Sequence, residues 1–252
     1  MNTNALRNYW KSEEAVAHIH GWDFSYINDR YTEEDTLPWN YEAVIRQWLR
    51  DDHKLLDIDT GGGEVLLSLH HPYALTSAVE GFAPNVALCR ETLLPLGIDF
   101  REAQDCKALP FDDSTFDMII NRHGDYDPKE LRRILKPGGI FITQQVGGHN
   151  DRELVDLLLP GTPIPYPQQN LREQTQCFLR EGFSVLQSDE AYGSIRFYDV
   201  GALVWFARII EWEFPGFSVD ACFSQLLKAQ QMLETTGSVD ATTHRFLLVV
   251  RK

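Results

Sequence analysis

A glycine-rich segment of the 252-residue chain combines acidic residues with an apolar run. Residues 55–64 read LLDIDTGGGE, and glycines allow a backbone to approach a ligand where a Cβ atom would intrude. A dinucleotide-binding fingerprint would need a glycine at the position of Leu66, and the chain contains no Gly-Lys-Ser or Gly-Lys-Thr for a P-loop. The remaining pattern is an acid, Asp57, followed by Gly61 and Gly63.

Alternating strands and helices position this segment. KLLDID reads as a buried strand after an amphipathic helix, and FDMII and GGIFITQQV read as later strands separated by the helix DPKELRRILK. Pro137, Gly138 and Gly139 mark the end of that helix. This alternation predicts an α/β fold with a mostly parallel sheet, helices on both faces, and ligands beyond the carboxyl ends of the strands.

The regular alternation of strands and helices ends after Asn150. Two helix-like segments, DVGALVWFARII and VDACFSQLLKAQQML, lie between the last two predicted strands, FSVLQ and RFLLVVR. We interpret residues 193–240 as a helical lid over an acceptor site, and residues 1–40 as an N-terminal cover segment, within a single domain spanning 1–252.

Composition restricts the partners. The net charge of -14 and the pI of about 4.9 disfavour nucleic acid and anionic membranes, since both attract basic proteins. The four cysteines form no CxxC pair, the histidine pairs have no recognised metal-ligand spacing, and the first residues lack the apolar core of a signal peptide. We therefore predict a cytoplasmic protein without a metal, either a monomer or a homodimer.

Several motifs in register resemble those of the class I S-adenosylmethionine-dependent methyltransferases. LLDIDTGGGE resembles the family's first motif, VEGFAPN its second, AQDCKALPFDDSTFDMIINRH its third and fourth, and LRRILKPGGIFIT its helix, turn and fifth strand. The resemblance implies a Rossmann-like seven-stranded sheet with an antiparallel last strand, and S-adenosyl-L-methionine as the cofactor.

The resemblance also implies roles for individual residues around the cofactor. Glu80 would accept the ribose hydroxyls, Asp105 would bond the adenine amino group, the Cys106 amide would bond a ring nitrogen, and Phe82 would pack on the ring or simply belong to the core. The full predicted cofactor set is Asp57, Asp59, Thr60, Gly61, Gly63, Glu80, Gly81, Phe82, Asp105, Cys106 and Asn121.

Asp59 departs from the family pattern, which usually has glycine at this position. Residues two apart in a strand face the same side, so Asp57 and Asp59 could both point toward the ligand's methionine moiety. Alternatively, Asp59 points away and bonds nearby backbone, as aspartates in turns often do.

The segment NRHGDYDP, after the fourth strand, supplies the catalytic candidates. His123 could act as a general base because imidazole titrates near working pH, or it could have only a structural role. Arg122 could hold an anionic group of the substrate or pair with Asp125 and Asp127.

Aromatic residues flank the predicted sheet and would suit a small, apolar or aromatic acceptor, although most of them could equally be core residues. The candidates for substrate binding are Trp22, Trp39, Arg196 and Trp205.

Three functions remain open from the sequence. The first is a methyltransferase for a small organic acceptor, the second is an RNA methyltransferase, and the third is a non-catalytic module that binds S-adenosylmethionine. The acidic charge and the lack of a basic stripe favour the first over the second.

Overall fold

The computed structural model describes residues 2–18, 23–34 and 36–252, which form two compact units. The sheet unit comprises Leu37–Gly147, Gln168–Ala191 and Arg245–Lys252, and the helical unit comprises Met1–Thr36, Gly148–Pro167 and Tyr192–His244. Within these described ranges, none of the helices has the length and apolar character needed to cross a membrane.

The strands and helices alternate as predicted. The helices are α1 (Thr3–Val16), α2 (Tyr41–Trp48), α3 (Glu64–Ser68), α4 (Ala83–Thr92), α5 (Pro128–Ile134), α6 (Arg152–Leu158), α7 (Leu171–Arg180), α8 (Val200–Ile209) and α9 (Phe223–Thr236). The strands are β1 (Tyr31–Glu33), β2 (Leu55–Ile58), β3 (Thr76–Glu80), β4 (Asp99–Glu102), β5 (Phe116–Arg122), β6 (Leu135–Val146), β7 (Ser184–Phe197) and β8 (Val239–Arg251).

The strand order is β1-β7-β8-β6-β5-β2-β3-β4, with β2 to β6 parallel to one another and β8 antiparallel to β6. The predicted α/β fold with an antiparallel last strand is therefore confirmed. Among the described residues the sheet has eight strands instead of the expected seven, because the short β1 pairs antiparallel with the end of β7. Three residues are too few to give a periodic signal in sequence.

Two apolar clusters fill the sheet unit, one on each face of its strands. One face contains Leu55, Met118 and Ile142, and the other contains Leu56, Ile119 and Phe141. Strands buried on both faces read as continuous apolar runs, which is why FDMII and GGIFIT were recognisable in sequence.

Capping residues and strand pairing fix the helix ends. The side chain of Asn40 accepts the N–H of Ala43 before α2, and that of Asp127 accepts the N–H groups of Lys129 and Glu130 before α5. Helix α5 ends at Ile134, earlier than the predicted Lys136, because Leu135 already pairs with Phe116 in the sheet.

The helical unit has its own apolar core. Helix α8 buries nearly every side chain, and Asp199 caps it by accepting the N–H groups of Gly201 and Ala202. Arg30 donates to Asp199 and to Glu13 of α1, which links these elements of the unit. Helices α8 and α9 do lie between the last two strands along the chain, while the covering roles predicted for residues 1–40 and 193–240 stay predictions.

Candidate functional site

Three neighbouring parallel strands of the sheet unit deliver polar residues to one edge. Asp57 lies near the carboxyl end of β2, Glu80 ends β3, and Asn121 lies near the end of β5. The strand register places Asp57 beside Ala78 and beside Ile120, so these strand ends are level. This edge is where open α/β sheets bind their ligands.

The glycine loop needs glycine at two positions. Gly61 has φ +65° and Gly63 has φ +86°, a left-handed region that other residues rarely adopt. A Cβ atom on Gly63 would lie 2.7 Å from a methyl carbon of Leu93. The hydroxyl of Thr60 donates to Asp57 over 2.6 Å, which ties the loop to the buried strand.

Glu80 organises the loop around it. One carboxylate oxygen accepts the N–H groups of Gly81 and Phe82, and the other accepts the N–H of Gly61 and the Asn85 amide. The Asn85 bond is the longest at 3.3 Å, so it is the contact that a ligand hydroxyl would most easily replace. Glu80 is therefore a buried acceptor fixed by backbone donors.

A cavity of about 400 Å³ opens beside these residues. Six of the predicted cofactor residues line it, namely Asp59, Glu80, Gly81, Phe82, Asp105 and Cys106, together with Ile58, Val79, Ala103, Gln104, Lys107, Leu109 and Asp125. The other five predicted residues, Asp57, Thr60, Gly61, Gly63 and Asn121, lie in the adjoining strands and loop without lining it.

Asp59 adopts φ +53° and turns its side chain toward the loop after β5, where its carboxylate accepts the Asp125 N–H over 2.8 Å. This bond matches the alternative in which the aspartate bonds backbone, although the partner is distant in sequence. Because Asp59 also lines the cavity, its charge still faces a bound ligand.

The acids around the loop are held close together. Burial raises the pKa of Asp57 to about 7, with Asp59, Glu80 and Glu64 adding to the rise and the Thr60 hydrogen bond opposing it. Burial likewise raises the pKa of Asp59 to about 6, and Glu80 and Asp125 repel its charge further. A cationic ligand would relieve this repulsion, so the site favours positive charge.

The far wall of the cavity has the features that an adenine ring needs. Phe82 precedes α4 and is 64% exposed, which leaves its ring face available for packing. Asp105 uses one oxygen to accept the Lys107 N–H and is otherwise exposed. Burial and the nearby Asp125 raise the pKa of the Cys106 thiol to about 12, so the thiol stays protonated and only its backbone is available for recognition.

Asn121 is fully buried and fully bonded. Its amide donates to the Ile58 and Asp125 carbonyls, and its oxygen accepts from Thr143 and Gln145. It therefore holds the loop after β5 in place, and direct contact with the cofactor stays a prediction.

Gln144 and Gln145, at the end of β6, were missed from the sequence. They are nearly fully buried, and polar side chains buried at a strand end need specific partners. The two consecutive glutamines after the apolar run GGIFIT were the signal that could have identified them.

Arg122 is the last residue of β5 and His123 follows it, and both residues have exposed surface. His123 has φ +60°, its N–H donates to the Gln144 carbonyl, and its Nε2 lies 3.3 Å from the Gln144 side-chain nitrogen. Removal from bulk water lowers the pKa of His123, and the Arg122 and Arg245 cations lower it further, so the imidazole is neutral at pH 7. Its exposed edge weakens this effect without reversing its direction.

The predicted substrate residues that the structure describes belong to two different units. Trp39 lies in the sheet unit and donates its indole N–H to Gln144 over 2.8 Å. Trp22 lies outside the described residues. Arg196 forms an exposed ion pair with Asp240 in the helical unit, where Trp205 is 1% exposed and packs against Phe24 and Tyr26.

A second cavity, of about 440 Å³, lies at the opposite end of the strands, near Lys54, Thr76, Asp99 and Phe116. The amino ends of parallel strands are not the usual ligand edge, and no carboxylate of the glycine loop lines this cavity. Size alone therefore does not identify the functional site. The described residues contain no group of three or more His, Cys, Asp or Glu side chains that could hold a metal ion.

The described residues fit S-adenosylmethionine. The acids at the glycine loop suit its ammonium and sulfonium charges, Glu80 suits a ribose diol, and exposed Phe82 beside Asp105 suits adenine. The chain thus has complementary groups for the ammonium, the sulfonium, the ribose and the adenine of this ligand.

Comparisons with known proteins identify a methyltransferase domain within the chain. Residues 56–143 match the family model described as a methyltransferase domain. The chain is 37% identical over 114 residues to a sterol 4-C-methyltransferase of Caenorhabditis elegans, across 41% of this chain and 34% of that protein. It is 29% identical over 111 residues to a phthiotriol/phenolphthiotriol dimycocerosates methyltransferase of Mycobacterium tuberculosis, across 41% of this chain and 40% of that protein.

The matches thus span well under half the length of these two relatives. A solved structure of a candidate methyltransferase from Bacillus halodurans superposes with a TM-score of 0.57 at 14% identity, covering 84% of this chain and 98% of that one. At this identity the likeness shows the fold alone.

Proposed function

We propose that the chain, whose residues 56–143 match a methyltransferase domain, uses S-adenosylmethionine to methylate a small organic acceptor. The observation that carries the proposal is the 400 Å³ cavity in which Asp59, Glu80 and Asp105 stand beside the exposed ring of Phe82. Carboxylates around a cavity with an open aromatic wall favour a cationic ligand that contains a nucleobase.

S-adenosylmethionine, when bound, supplies a methyl group on a positively charged sulfur. Asp59 and Glu80 would hold this cofactor, which would supply its methyl carbon to a lone pair of the acceptor and keep the electrons of the broken carbon–sulfur bond on its sulfur. The protein then has to align the acceptor and exclude water. An acceptor that must also lose a proton would need a general base, which is the role that the sequence predicted for His123, while Arg122 is available for an anionic group of the acceptor.

The acceptor class is inferred from charge and from the relatives. The net charge of -14 disfavours RNA, whose phosphates would be repelled. The two relatives are named for a sterol and for phthiotriol/phenolphthiotriol dimycocerosates, and the sterol favours an apolar acceptor here too. We further propose that the protein acts in the cytoplasm and that residues 1–40 and 193–240 provide apolar cover for the acceptor.

Calorimetry with S-adenosylmethionine, followed by a radiolabelled methyl-transfer assay over sterols, phenols, amines and carboxylic acids, tests the proposal. Saturable binding with transfer to at least one acceptor is expected. Absence of binding at millimolar cofactor would overturn the whole proposal. Binding without turnover on any acceptor would instead identify a non-catalytic module. Salt-sensitive binding and methylation of RNA would show that the acceptor is RNA and not a small molecule.

A further inference from the structure

The side chains of Trp39, Gln144 and His123 form a hydrogen-bonded chain in the sheet unit. The Trp39 indole nitrogen lies 2.8 Å from the Gln144 side-chain oxygen, and the Gln144 side-chain nitrogen lies 3.3 Å from His123 Nε2. Gln144 is nearly fully buried in β6, so its orientation is set by these neighbours. We call these residues the Trp39–Gln144–His123 chain.

The chemistry of the indole determines which atoms donate and which accept in the Trp39–Gln144–His123 chain. An indole N–H can only donate, so the Gln144 atom that faces it must be the carbonyl oxygen. The Gln144 NH2 group therefore faces His123, and an amide NH2 also only donates. His123 Nε2 must consequently accept, which means that it carries a lone pair and no proton.

This arrangement determines the state of the imidazole. A neutral imidazole whose Nε2 accepts carries its proton on Nδ1. A doubly protonated ring would set an Nε2–H against the Gln144 NH2 and would add a charge beside Arg122 and Arg245, which the structure disfavours. The backbone of His123 is fixed as well, since its N–H donates to the Gln144 carbonyl over 2.9 Å.

We propose that the Trp39–Gln144–His123 chain fixes His123 as the Nδ1–H tautomer, so that His123 donates a hydrogen bond to the acceptor and does not remove its proton. Nε2 is engaged by Gln144, and no described residue bonds Nδ1. Gln144 and Trp39 are thus positioning residues, and His123 is a specificity-determining one.

The proposal narrows the substrate class and rests on the proposed methyl transfer. The acceptor presents an oxygen or nitrogen lone pair to His123, and the Arg122 cation beside it favours an anionic group. Its nucleophilic atom carries a free lone pair before the reaction, as in a carboxylate or another group already deprotonated. The new bond to carbon then forms without a proton moving to His123.

Nitrogen-detected NMR of protein with 15N-labelled histidine tests the tautomer directly, without turnover. The His123 signals are assigned by their loss in His123→Gln. At pH 7 we expect a protonated Nδ1 and an unprotonated Nε2. A protonated Nε2 in the wild-type protein would overturn the proposal.

The substitution Gln144→Glu replaces the NH2 donor that faces His123 by a carboxylate oxygen, which accepts. A carboxylate can accept from both the Trp39 indole and His123 Nε2, so we expect the proton to move to Nε2 and the pKa of His123 to rise. Gln47→Glu, the same change on an exposed residue of α2, should leave the His123 signals unchanged. Unchanged His123 signals in Gln144→Glu would also overturn the proposal.

Two probes of similar shape test the substrate class. Benzoate should shift the His123 Nδ1–H signal at millimolar concentration, whereas benzylamine should not. A shift with benzylamine alone, or no shift with either probe, would overturn the proposal that the acceptor accepts a hydrogen bond from His123. Calorimetry of S-adenosylmethionine on the same samples separates the two proposals, because failure of cofactor binding contradicts the methyltransferase function and leaves the tautomer result intact.

Discussion

The Asp59 carboxylate accepts a 2.8 Å hydrogen bond from the backbone N–H of Asp125. This bond joins the glycine loop after β2 to the loop after β5, and both residues line the same cavity. The unusual aspartate of the glycine loop therefore acts as a tie between two loops as well as a charge facing the ligand.

Asp59→Gly should retain cofactor binding, with a change in Kd of less than about tenfold by calorimetry. The variant loses a hydrogen bond worth about 1 kcal/mol, but glycine adopts φ +53° without the strain of a side chain, which returns a similar amount. Asp59→Ala is the matched control, because it loses the same hydrogen bond and keeps the backbone strain. Its Tm should therefore be lower than that of Asp59→Gly. A much larger loss of affinity in Asp59→Gly would show that the carboxylate is a necessary ligand.

Gly124→Ala should destabilise the protein because a Cβ atom there would lie 2.4 Å from the Asp59 Cβ atom. Overpacking of this kind costs about 1–3 kcal/mol in free energy of unfolding. The cost should fall in the double variant Asp59→Gly/Gly124→Ala, without vanishing, since the Asn121 amide would still lie 2.8 Å away. Urea unfolding of the wild-type protein, the two single variants and the double variant measures this coupling. If the changes in free energy of unfolding were simply additive, the contact between residues 59 and 124 would be contradicted.

The sequence predicted the parts of this site that depend on local pattern. Gly61, Gly63 and Glu80 were recognisable because strand, loop and strand follow one another within a short stretch. The partners of Asp59 and Gln144 were not, because each bonds residues that only the sheet order brings near. Trp205 illustrates a further limit, since an aromatic residue on an apolar helix reads the same whether it contacts a substrate or, as here, is 1% exposed in a core.

Glu80→Gln should weaken both stability and cofactor binding. The carboxylate accepts three backbone N–H groups, and an amide would turn its own NH2 toward one of them. We expect a loss of about 2 kcal/mol in free energy of unfolding, and at least a tenfold rise in Kd for S-adenosylmethionine. Glu102→Gln, at the exposed end of β4, is the control and should leave the Kd unchanged. Equal affinities of the two variants for S-adenosylmethionine would show that Glu80 does not belong to the cofactor site.

Phe82→Ala should weaken cofactor binding without affecting stability. The ring is 64% exposed, so its removal creates no cavity in the core. Stacking of a base on an aromatic ring contributes about 1–3 kcal/mol, which corresponds to roughly 5- to 150-fold in Kd. Tyr73→Ala removes an aromatic residue that is 39% exposed and precedes β3, and it should leave the Kd unchanged. An unchanged Kd in Phe82→Ala would place the adenine elsewhere.

The buried acid Asp57 should make stability and cofactor affinity respond to pH in opposite directions. Burial raises the pKa of Asp57 from 3.8 to about 7, so between these values the folded protein holds a proton that the unfolded chain releases. Its stabilising contribution is therefore complete below about pH 4 and is lost as the pH rises through 7. The ionised acids attract a cation, so affinity for S-adenosylmethionine should rise over the same range.

Urea unfolding of the wild-type protein and of Asp57→Asn, from pH 4 to 8, isolates this contribution. The amide does not titrate, so the free energy of unfolding of the wild-type protein should fall relative to that of the variant as the pH rises. Calorimetry at the same pH values should show the gain in cofactor affinity of the wild-type protein, reduced in Asp57→Asn. A difference in stability that grows with pH would mean that Asp57 is ionised and stabilised in the folded protein, and would reverse the assigned direction of its pKa shift.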